Sequence, residues 1–271
     1  MKKRLITALL VTPLAIALIL LLPTPAFATI IAGLCLVAVW EWTRLSGMRS
    51  RPWRAALVTA VALLFLLLWL ERGSWFWWAM IVAGSIWWLF AFAWLRRFSL
   101  AAAPTPENTA VKLLAGFFSV VPAWTAMMQV HLGQTDLHTW GLYALMLVWA
   151  ADTCAYVAGS RWGTTKLAPQ ISPGKTIAGV YGALVGSAII AVAGGWLLYV
   201  RDQHLVGLVL VGLACVVLSI IGDLFESLIK RHASVKDSGN MFPGHGGVYD
   251  RLDGVFAALP LFALGKAALG L

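Results

Sequence analysis

Residues 5–22 read LITALLVTPLAIALILLL, a run of eighteen positions without an ionisable side chain. A helix of this length rises about 27 Å, close to the roughly 30 Å hydrocarbon core of a bilayer. The whole chain of 271 residues shares this character, with 61% hydrophobic and 11% charged residues and a mean hydropathy of +0.86. A water-soluble domain of this composition would expose more apolar surface than water tolerates. The sequence therefore predicts an all-α, polytopic integral membrane protein.

About nine apolar segments are spaced along the chain as membrane spans. If the N-terminus is cytoplasmic, all Lys and Arg residues except Arg72, Arg201 and Lys266 fall on the inner side. This asymmetry predicts an N-terminus inside and a C-terminus outside. The net charge of +9 is then explained by topology and by attraction to anionic headgroups and substrates, without nucleic acid. The predicted spans are residues 5–22, 26–40, 55–70, 75–95, 110–130, 139–160, 176–200, 205–229 and 254–270.

The first half of the chain, residues 1–135, holds spans one to five and is mostly Leu, Ala, Val and Trp. Its Trp-rich patches indicate interface belts and packing rather than a functional site. Residues 23–28, PTPAFA, resemble the end of a cleaved signal peptide, but the long apolar run and the span that follows favour retention. The three cysteines lie inside spans without CxxC spacing, which argues against a disulfide framework or a zinc site.

The second half, residues 136–271, holds spans six to nine and is the predicted catalytic region of one continuous membrane domain. Ionisable groups in or beside a membrane span are costly, so they indicate function. Six of the eleven acidic residues lie at or near the predicted cytoplasmic ends of spans six, eight and nine, or in the loop between the last two. Together they predict one polar site, built from Asp152, Asp223, Glu226, Asp237, Asp250 and Asp253.

Span eight ends in a polar stripe. On a helix, Asp223, Glu226, Ser227 and Lys230 fall on one face. A purely structural explanation stays open for Glu226 and Lys230, since such a pair can simply help a helix leave the membrane. It is weaker for Asp223, which lies a further turn inward.

The loop after span eight reads KDSGNMFPGHGGVYDRLDG, residues 236–254. The glycines around His245 permit positive φ and a close approach of backbone N–H groups to phosphate oxygens. Asp250 and Asp253 would project to one side at a helix start. Carboxylates in this setting suit Mg²⁺, which keeps waters and shares substrate phosphates, better than zinc.

Residues 172–176, SPGKT, open span seven. A Walker A motif is excluded, because position 169 is Pro where that motif needs Gly and no strand precedes it. Lys175 and the amides of a helix N-terminus nevertheless predict an anion-binding site. The small residues of 151–159 on span six permit close packing within the chain or in a homodimer.

The pattern S-L-I-K-R-x4-K-D-S-G-x2-F-P-G-H-G-G-V-x-D-R-L-D, residues 227–253, resembles the signature of phosphatidate cytidylyltransferases, also called CDP-diacylglycerol synthases. The segments IGDLFES and ISPGKT resemble the bacterial members, whereas the first half agrees only in being hydrophobic. The resemblance implies transfer of the cytidylyl group of CTP to phosphatidate with Mg²⁺, at the cytoplasmic face of a bacterial inner membrane. A second, monovalent cation is left open.

The resemblance also implies roles by position. Asp223 and Asp250 match the metal-centre carboxylates. The residues that would act in catalysis or hold phosphates are Lys230, Arg231, Lys236, Asp237, His245, Arg251 and Asp253. Those assigned to substrate binding are Asp152, Ser172, Lys175, Thr176, Ser227, Gly246 and Gly247.

Three other functions compete with this interpretation. A CDP-alcohol phosphotransferase is excluded, because Ala258 stands where its motif needs Arg and no acidic residue follows Asp253. A CTP-dependent polyprenol or lipid kinase shares a distant likeness in this region and would transfer the γ-phosphoryl group instead. A membrane transporter could also carry acids near cytoplasmic ends, but it should show interrupted helices in corresponding halves.

Overall fold

Helices make up nearly all of the regular structure, as predicted. The computed structural model describes residues 2–132, 138–241 and 246–271, and residues 2–11 by their backbone only. Nine α-helices and one two-stranded sheet occur within these ranges. In chain order they are α1 (Lys2–Leu21), α2 (Thr24–Leu45), α3 (Arg51–Leu70), α4 (Trp75–Leu95), α5 (Pro106–His131), α6 (Thr139–Trp162), β1 (Lys166–Ala168), β2 (Ser172–Thr176), α7 (Ile177–Leu197), α8 (Asp202–His232) and α9 (Tyr249–Ala268).

Seven of these helices, α2 to α8, are long and apolar enough to cross a membrane. Helix α9 falls outside this set, because Asp250, Arg251, Asp253 and Lys266 lower its hydropathy. In α1 the described apolar stretch is the shorter Thr12–Leu21. The polytopic membrane fold is therefore confirmed, whereas nine spans and the orientation of the termini remain predictions.

A β-hairpin interrupts the all-α pattern between α6 and α7. Strands β1 and β2 pair antiparallel, with Lys166 opposite Thr176 and Ala168 opposite Ser172. The SPGKT segment is therefore strand β2. The prediction that it opens the helix is wrong. Helix α7 starts one residue later, and its N-cap is Thr176, whose hydroxyl accepts a hydrogen bond from the Gly179 N–H.

Helices α6 and α7 pack with their backbones close together. A Cβ on Gly182 would lie 2.7 Å from the Cys154 carbonyl oxygen, and one on Gly186 would overlap the Cys154 side chain. The small-residue face of α6 is thus used inside the chain, and a homodimer remains a prediction. The three cysteines are free thiols, and those of Cys35 and Cys215 are buried.

An aromatic cluster packs against the apolar side of α8. The Phe225 ring lies 5.6 Å from Trp87, 5.4 Å from Trp94 and 6.1 Å from Trp42, measured between ring centroids. Trp residues of the first half therefore pack in the core, although Trp75 is 81% exposed, as an interface residue would be. Because the apolar side of α8 is held this way, its polar stripe is turned towards α9 and the hairpin.

Candidate active site

Helices α8 and α9 approach each other at glycines. A Cβ on Gly222 would lie 2.6 Å from the Asp253 carbonyl oxygen, and one on Gly254 would lie 3.3 Å from the Ser219 Cβ. The backbone at Gly222 leaves no room for a side chain at the crossing, and that at Gly254 leaves little. The polar stripe of α8 is thereby brought against the first turn of α9.

Lys230 joins the two helices. Its Nζ lies 2.6 Å from Glu226 Oε2 and 2.7 Å from Asp250 Oδ1. The side chains of Glu226 and Asp250 are only 1% and 4% exposed, and that of Lys230 is 14% exposed. Removing one partner from a buried ionic group leaves an uncompensated charge, so the group holds its members in fixed positions. The Glu226–Lys230 pair is therefore linked to Asp250 and does more than help α8 leave the membrane.

The second oxygen of Asp250 is also occupied. Oδ2 accepts hydrogen bonds from the Ser238 N–H (2.8 Å), the Ser238 hydroxyl (2.9 Å) and the Gly247 N–H (2.7 Å). Gly246 has φ +85°, and a Cβ there would overlap Asp250, so glycine is required. The predicted roles of Asp250 in metal binding and of Gly247 in phosphate binding remain predictions, since both groups are bonded within the protein.

The hairpin is held against α8 by two contacts. In the first, Lys175 Nζ lies 2.5 Å from Asp223 Oδ2. The other oxygen of Asp223, Oδ1, accepts from the Ser227 hydroxyl of the same helix at 3.5 Å. Arg231 Nε donates to the Ile171 carbonyl oxygen at 3.1 Å, in the turn between the strands. Of the other two predicted residues in the hairpin, Ser172 is half-buried and Thr176 is the buried cap of α7.

Three further carboxylates share this end of the bundle. Asp152 on α6, Asp223 on α8 and Asp253 on α9 lie close enough for their negative charges to repel one another. Asp253 Oδ1 accepts from the Gly254 N–H at 2.7 Å. Close like charges of this kind favour a bound cation or a protonated member.

A complete metal cage is not preformed in the part of the chain that the structure describes, where no group of three or more His, Cys, Asp or Glu side chains could hold an ion. Mg²⁺ usually needs only one or two protein carboxylates, and waters and substrate phosphates complete its shell. Asp223 fits this requirement best, because its side chain is 37% exposed and its ion partner Lys175 is accessible. The residues present therefore fit a shared Mg²⁺ site.

The remaining predicted residues within the described ranges are next or close in sequence to Ser238 and Asp250. Lys236, Asp237 and Arg251 have exposed side chains. His245 lies outside the described residues, so its predicted role stays untested. The structure thus brings together predicted residues of α6, β2, α8 and α9.

The sequence interpretation missed Glu41, which lies in the first half of the chain. This α2 residue is 6% exposed, and its carboxylate accepts hydrogen bonds from the Ser238 hydroxyl and the Tyr249 N–H. Its neighbour Arg44 donates to the Ser238 carbonyl oxygen at 2.7 Å. The signal in the sequence is the cost of an acid beside a membrane span, since Glu41 directly follows predicted span two.

We call the ion-paired residues and their neighbouring carboxylates the polar cluster; it comprises Asp152, Lys175, Asp223, Glu226, Lys230, Asp250 and Asp253. An apolar cavity of about 440 Å³ opens beside it. Helices α1, α2, α5, α6 and α9 line it, mostly with aliphatic and aromatic side chains. Its charged lining residues are Asp152 and Arg251. A pocket with an apolar body and a few charged groups suits an amphipathic ligand.

Comparison with known proteins agrees with this chemistry. The profile of the cytidylyltransferase family matches residues 2–267. A phosphatidate cytidylyltransferase of Pseudomonas aeruginosa is 37% identical over 272 residues, covering 97% of this chain and 96% of its own. One of Haemophilus influenzae is 30% identical over 281 residues, covering 97% of each chain, and one of Staphylococcus haemolyticus is 42% identical over 146 residues, covering 53% and 55%. The chain belongs to the cytidylyltransferase family.

Proposed function

We propose that this protein transfers the cytidylyl group of CTP to phosphatidate, giving CDP-diacylglycerol and pyrophosphate in phospholipid biosynthesis. The observation that carries the proposal is the junction of the ion-paired polar cluster with the apolar cavity at Asp152 and Arg251. A nucleotide needs the first environment and a lipid needs the second. The names of the full-length relatives from Pseudomonas and Haemophilus point to the same substrates.

The site has groups suited to this reaction. An oxygen of the phosphatidate phosphate forms a bond to the α-phosphorus of CTP, while the bond to the leaving pyrophosphate breaks. Because the nucleophile is already an anion, no strong general base is required. The main task is to bring two anions together and to stabilise the negative charge on the leaving group. Lys175, Lys236 and Arg251 are accessible cations that would do this.

Mg²⁺ is part of the proposal. Asp223 would hold it, with Asp152 and Asp253 as neighbouring carboxylates, and the ion would supply charge neutralisation on the phosphates. Lys175 would then be free to bind a phosphate oxygen instead of Asp223. Asp250 is bonded on both oxygens, so its part in metal binding would require breaking its contacts with Lys230, Ser238 or Gly247. No residue is assigned to a monovalent cation.

The site is proposed to face the cytoplasm of a bacterial inner membrane. Basic residues gather at this end of the bundle, which is the distribution expected of cytoplasmic segments. The soluble substrate, CTP, is also made in that compartment. The supporting residues are Lys175, Lys230, Arg231, Lys236 and Arg251.

The test is pyrophosphate release by the purified protein in detergent micelles with CTP and Mg²⁺. We expect release that depends on phosphatidate and on the metal, together with a CDP-lipid product. Release of CDP and phosphorylation of an added polyprenol would favour the kinase. Failure to form either lipid product would return attention to the transporter.

A further inference from the structure

Glu41 bonds α2 to the segment that carries Asp250. Its Oε1 accepts from the Val248 N–H at 3.1 Å, and its Oε2 accepts from the Tyr249 N–H at 2.9 Å and from the Ser238 hydroxyl at 3.0 Å. A carboxylate offers acceptors only, which suits a site where every neighbour is a donor. Glu41 thus accepts hydrogen bonds from Ser238 and from the two residues that directly precede Asp250 in sequence.

Ser238 connects Glu41 to Asp250 directly. Its hydroxyl lies 3.0 Å from Glu41 Oε2 and 2.9 Å from Asp250 Oδ2, so its one proton serves one carboxylate at a time. Asp250 in turn bonds Lys230. Because the Ser238 N–H also donates to Asp250 Oδ2 at 2.8 Å, hydrogen bonds connect α2 to α8 when the hydroxyl proton is on Glu41, and they fix the orientation of the Asp250 carboxylate.

Neighbours of Glu41 hold α2 in the same place. The Trp42 ring stacks on Tyr249, with centroids 4.6 Å apart, and its Nε1 donates to the Lys112 carbonyl oxygen at 2.6 Å. Arg44 donates to the Ser238 carbonyl oxygen. These contacts would hold the helix at this segment even if the Glu41 carboxylate were neutralised.

Two glycines of the segment are shaped around Glu41. A Cβ at either Gly239 or Gly247 would overlap the Glu41 carboxylate. Neither glycine has a positive φ, so the lack of space for a side chain explains them here. This is independent of the hydrogen bonds and shows that the segment closes tightly over the carboxylate.

We propose that Glu41 is a positioning residue for the transfer reaction, which acts through Ser238 and the 247–249 backbone to hold Asp250 and Lys230 in their reactive arrangement. The proposal rests on the function proposed above. It assigns a role in the chemistry to the first half of the chain, whose sequence pattern indicates only packing.

The test is Glu41→Gln, which keeps the side-chain size but places an NH₂ group against N–H and O–H donors. We expect kcat to fall about tenfold to a hundredfold per folded molecule, the range for a small misplacement of reacting groups. KM for CTP and for phosphatidate should stay within about threefold, because the substitution leaves the charges of the proposed phosphate-binding residues Lys175, Lys236 and Arg251 unchanged. Hydrogen exchange at one of the Val248 and Tyr249 amides should become at least about tenfold faster, since glutamine keeps only one of the two oxygens that accept from them.

Glu71→Gln is the matched control, because Glu71 is exposed at the end of α3 and should change neither kcat nor exchange. A purely structural role for Glu41 would lower the folded fraction and leave kcat per folded molecule unchanged, and that result would overturn the proposal. If Glu41→Gln does not fold, Ser238→Ala decides the question: about a threefold to tenfold lower kcat is expected, and a wild-type kcat would overturn it.

Failure of the proposed function would be recognised separately. In that case the wild-type protein would form no CDP-lipid, while hydrogen exchange would still report whether Glu41 holds the 247–249 backbone. Slow exchange in the wild type and fast exchange in Glu41→Gln would then still support the hydrogen bonds between Glu41 and this backbone. Equal exchange in both proteins would overturn it.

Discussion

Lys175 on β2 and Asp223 on α8 form an ion pair of 2.5 Å at the open side of the polar cluster. Both side chains are partly exposed, at 24% and 37%, whereas the Lys230 group behind them is nearly buried. An exposed pair contributes little to stability and can exchange partners easily. We interpret Lys175–Asp223 as the exchangeable part of the site and Lys230–Asp250 as its fixed part.

Asp223→Asn should abolish catalysis without unfolding the protein. The substitution removes the carboxylate best placed to hold Mg²⁺, and we expect turnover to fall by at least about a hundredfold. The variant should still accumulate in the membrane with a nearly unchanged melting temperature, because it breaks only an exposed ion pair.

The control for that variant is Asp202→Asn, at the exposed start of the same helix. It removes the same charge at a distance from the cluster and should retain wild-type turnover. Near-normal turnover of Asp223→Asn at saturating Mg²⁺ would contradict the assignment of Asp223 to the metal.

Lys230→Met should destabilise the protein. Glu226 and Asp250 would remain buried without their shared cation, at a cost of about 3–5 kcal/mol. A fall of roughly 10 °C in the apparent melting temperature of the detergent-solubilised protein is expected. Adding Glu226→Leu removes one of the two unpaired charges and should recover part of the lost stability. A wild-type melting temperature for Lys230→Met alone would contradict the buried ionic group.

Gly222→Ala should reduce activity by forcing α8 and α9 apart. The new methyl group would meet the Asp253 carbonyl oxygen at 2.6 Å and the Ala257 Cβ at 2.8 Å, both of which belong to packed backbone or core. A shift of this kind displaces Asp250 from Lys230, and we expect a loss of about tenfold or more in kcat/KM. Gly33→Ala on α2, where a Cβ meets nothing within 4 Å, serves as the control and should be neutral.

Ala15→Phe should raise KM for long-chain phosphatidate. Ala15 lines the apolar cavity, and a phenyl ring there would take up space proposed for an acyl chain. We expect roughly a tenfold rise with a dioleoyl substrate, a change within twofold with a dihexanoyl substrate, and an unchanged KM for CTP. Ala60→Phe on the exposed face of α3 is the matched control, and equal effects of both variants or on both lipids would argue against a chain-binding cavity.

The family, the membrane fold and the shared helix face of four candidate site residues could be predicted from the sequence. Helical periodicity placed Asp223, Glu226, Ser227 and Lys230 on one face, and the structure confirms it through the Lys230–Glu226 and Ser227–Asp223 contacts. Such predictions succeed because contacts three or four residues apart depend only on the geometry of one helix.

Contacts between distant segments could not be predicted in the same way. Glu41 and Ser238 are 197 positions apart, and no local pattern indicates which helix will meet which loop. The β-hairpin was missed because its strands have only three and five residues, too few for an alternating pattern to stand out. The sequence therefore predicts an anion-binding helix start at residues 172–176. In the structure these residues form strand β2, and Thr176 is the N-cap of α7.

The measurement that tests the central claim most directly uses the purified protein with phosphatidate, Mg²⁺ and CTP labelled separately at the α- and γ-phosphorus. We expect the α label to enter the lipid and the γ label to leave in pyrophosphate. Entry of the γ label into lipid would identify a kinase and contradict cytidylyl transfer. No transfer of either label, from protein shown to be folded, would contradict the proposed enzyme altogether.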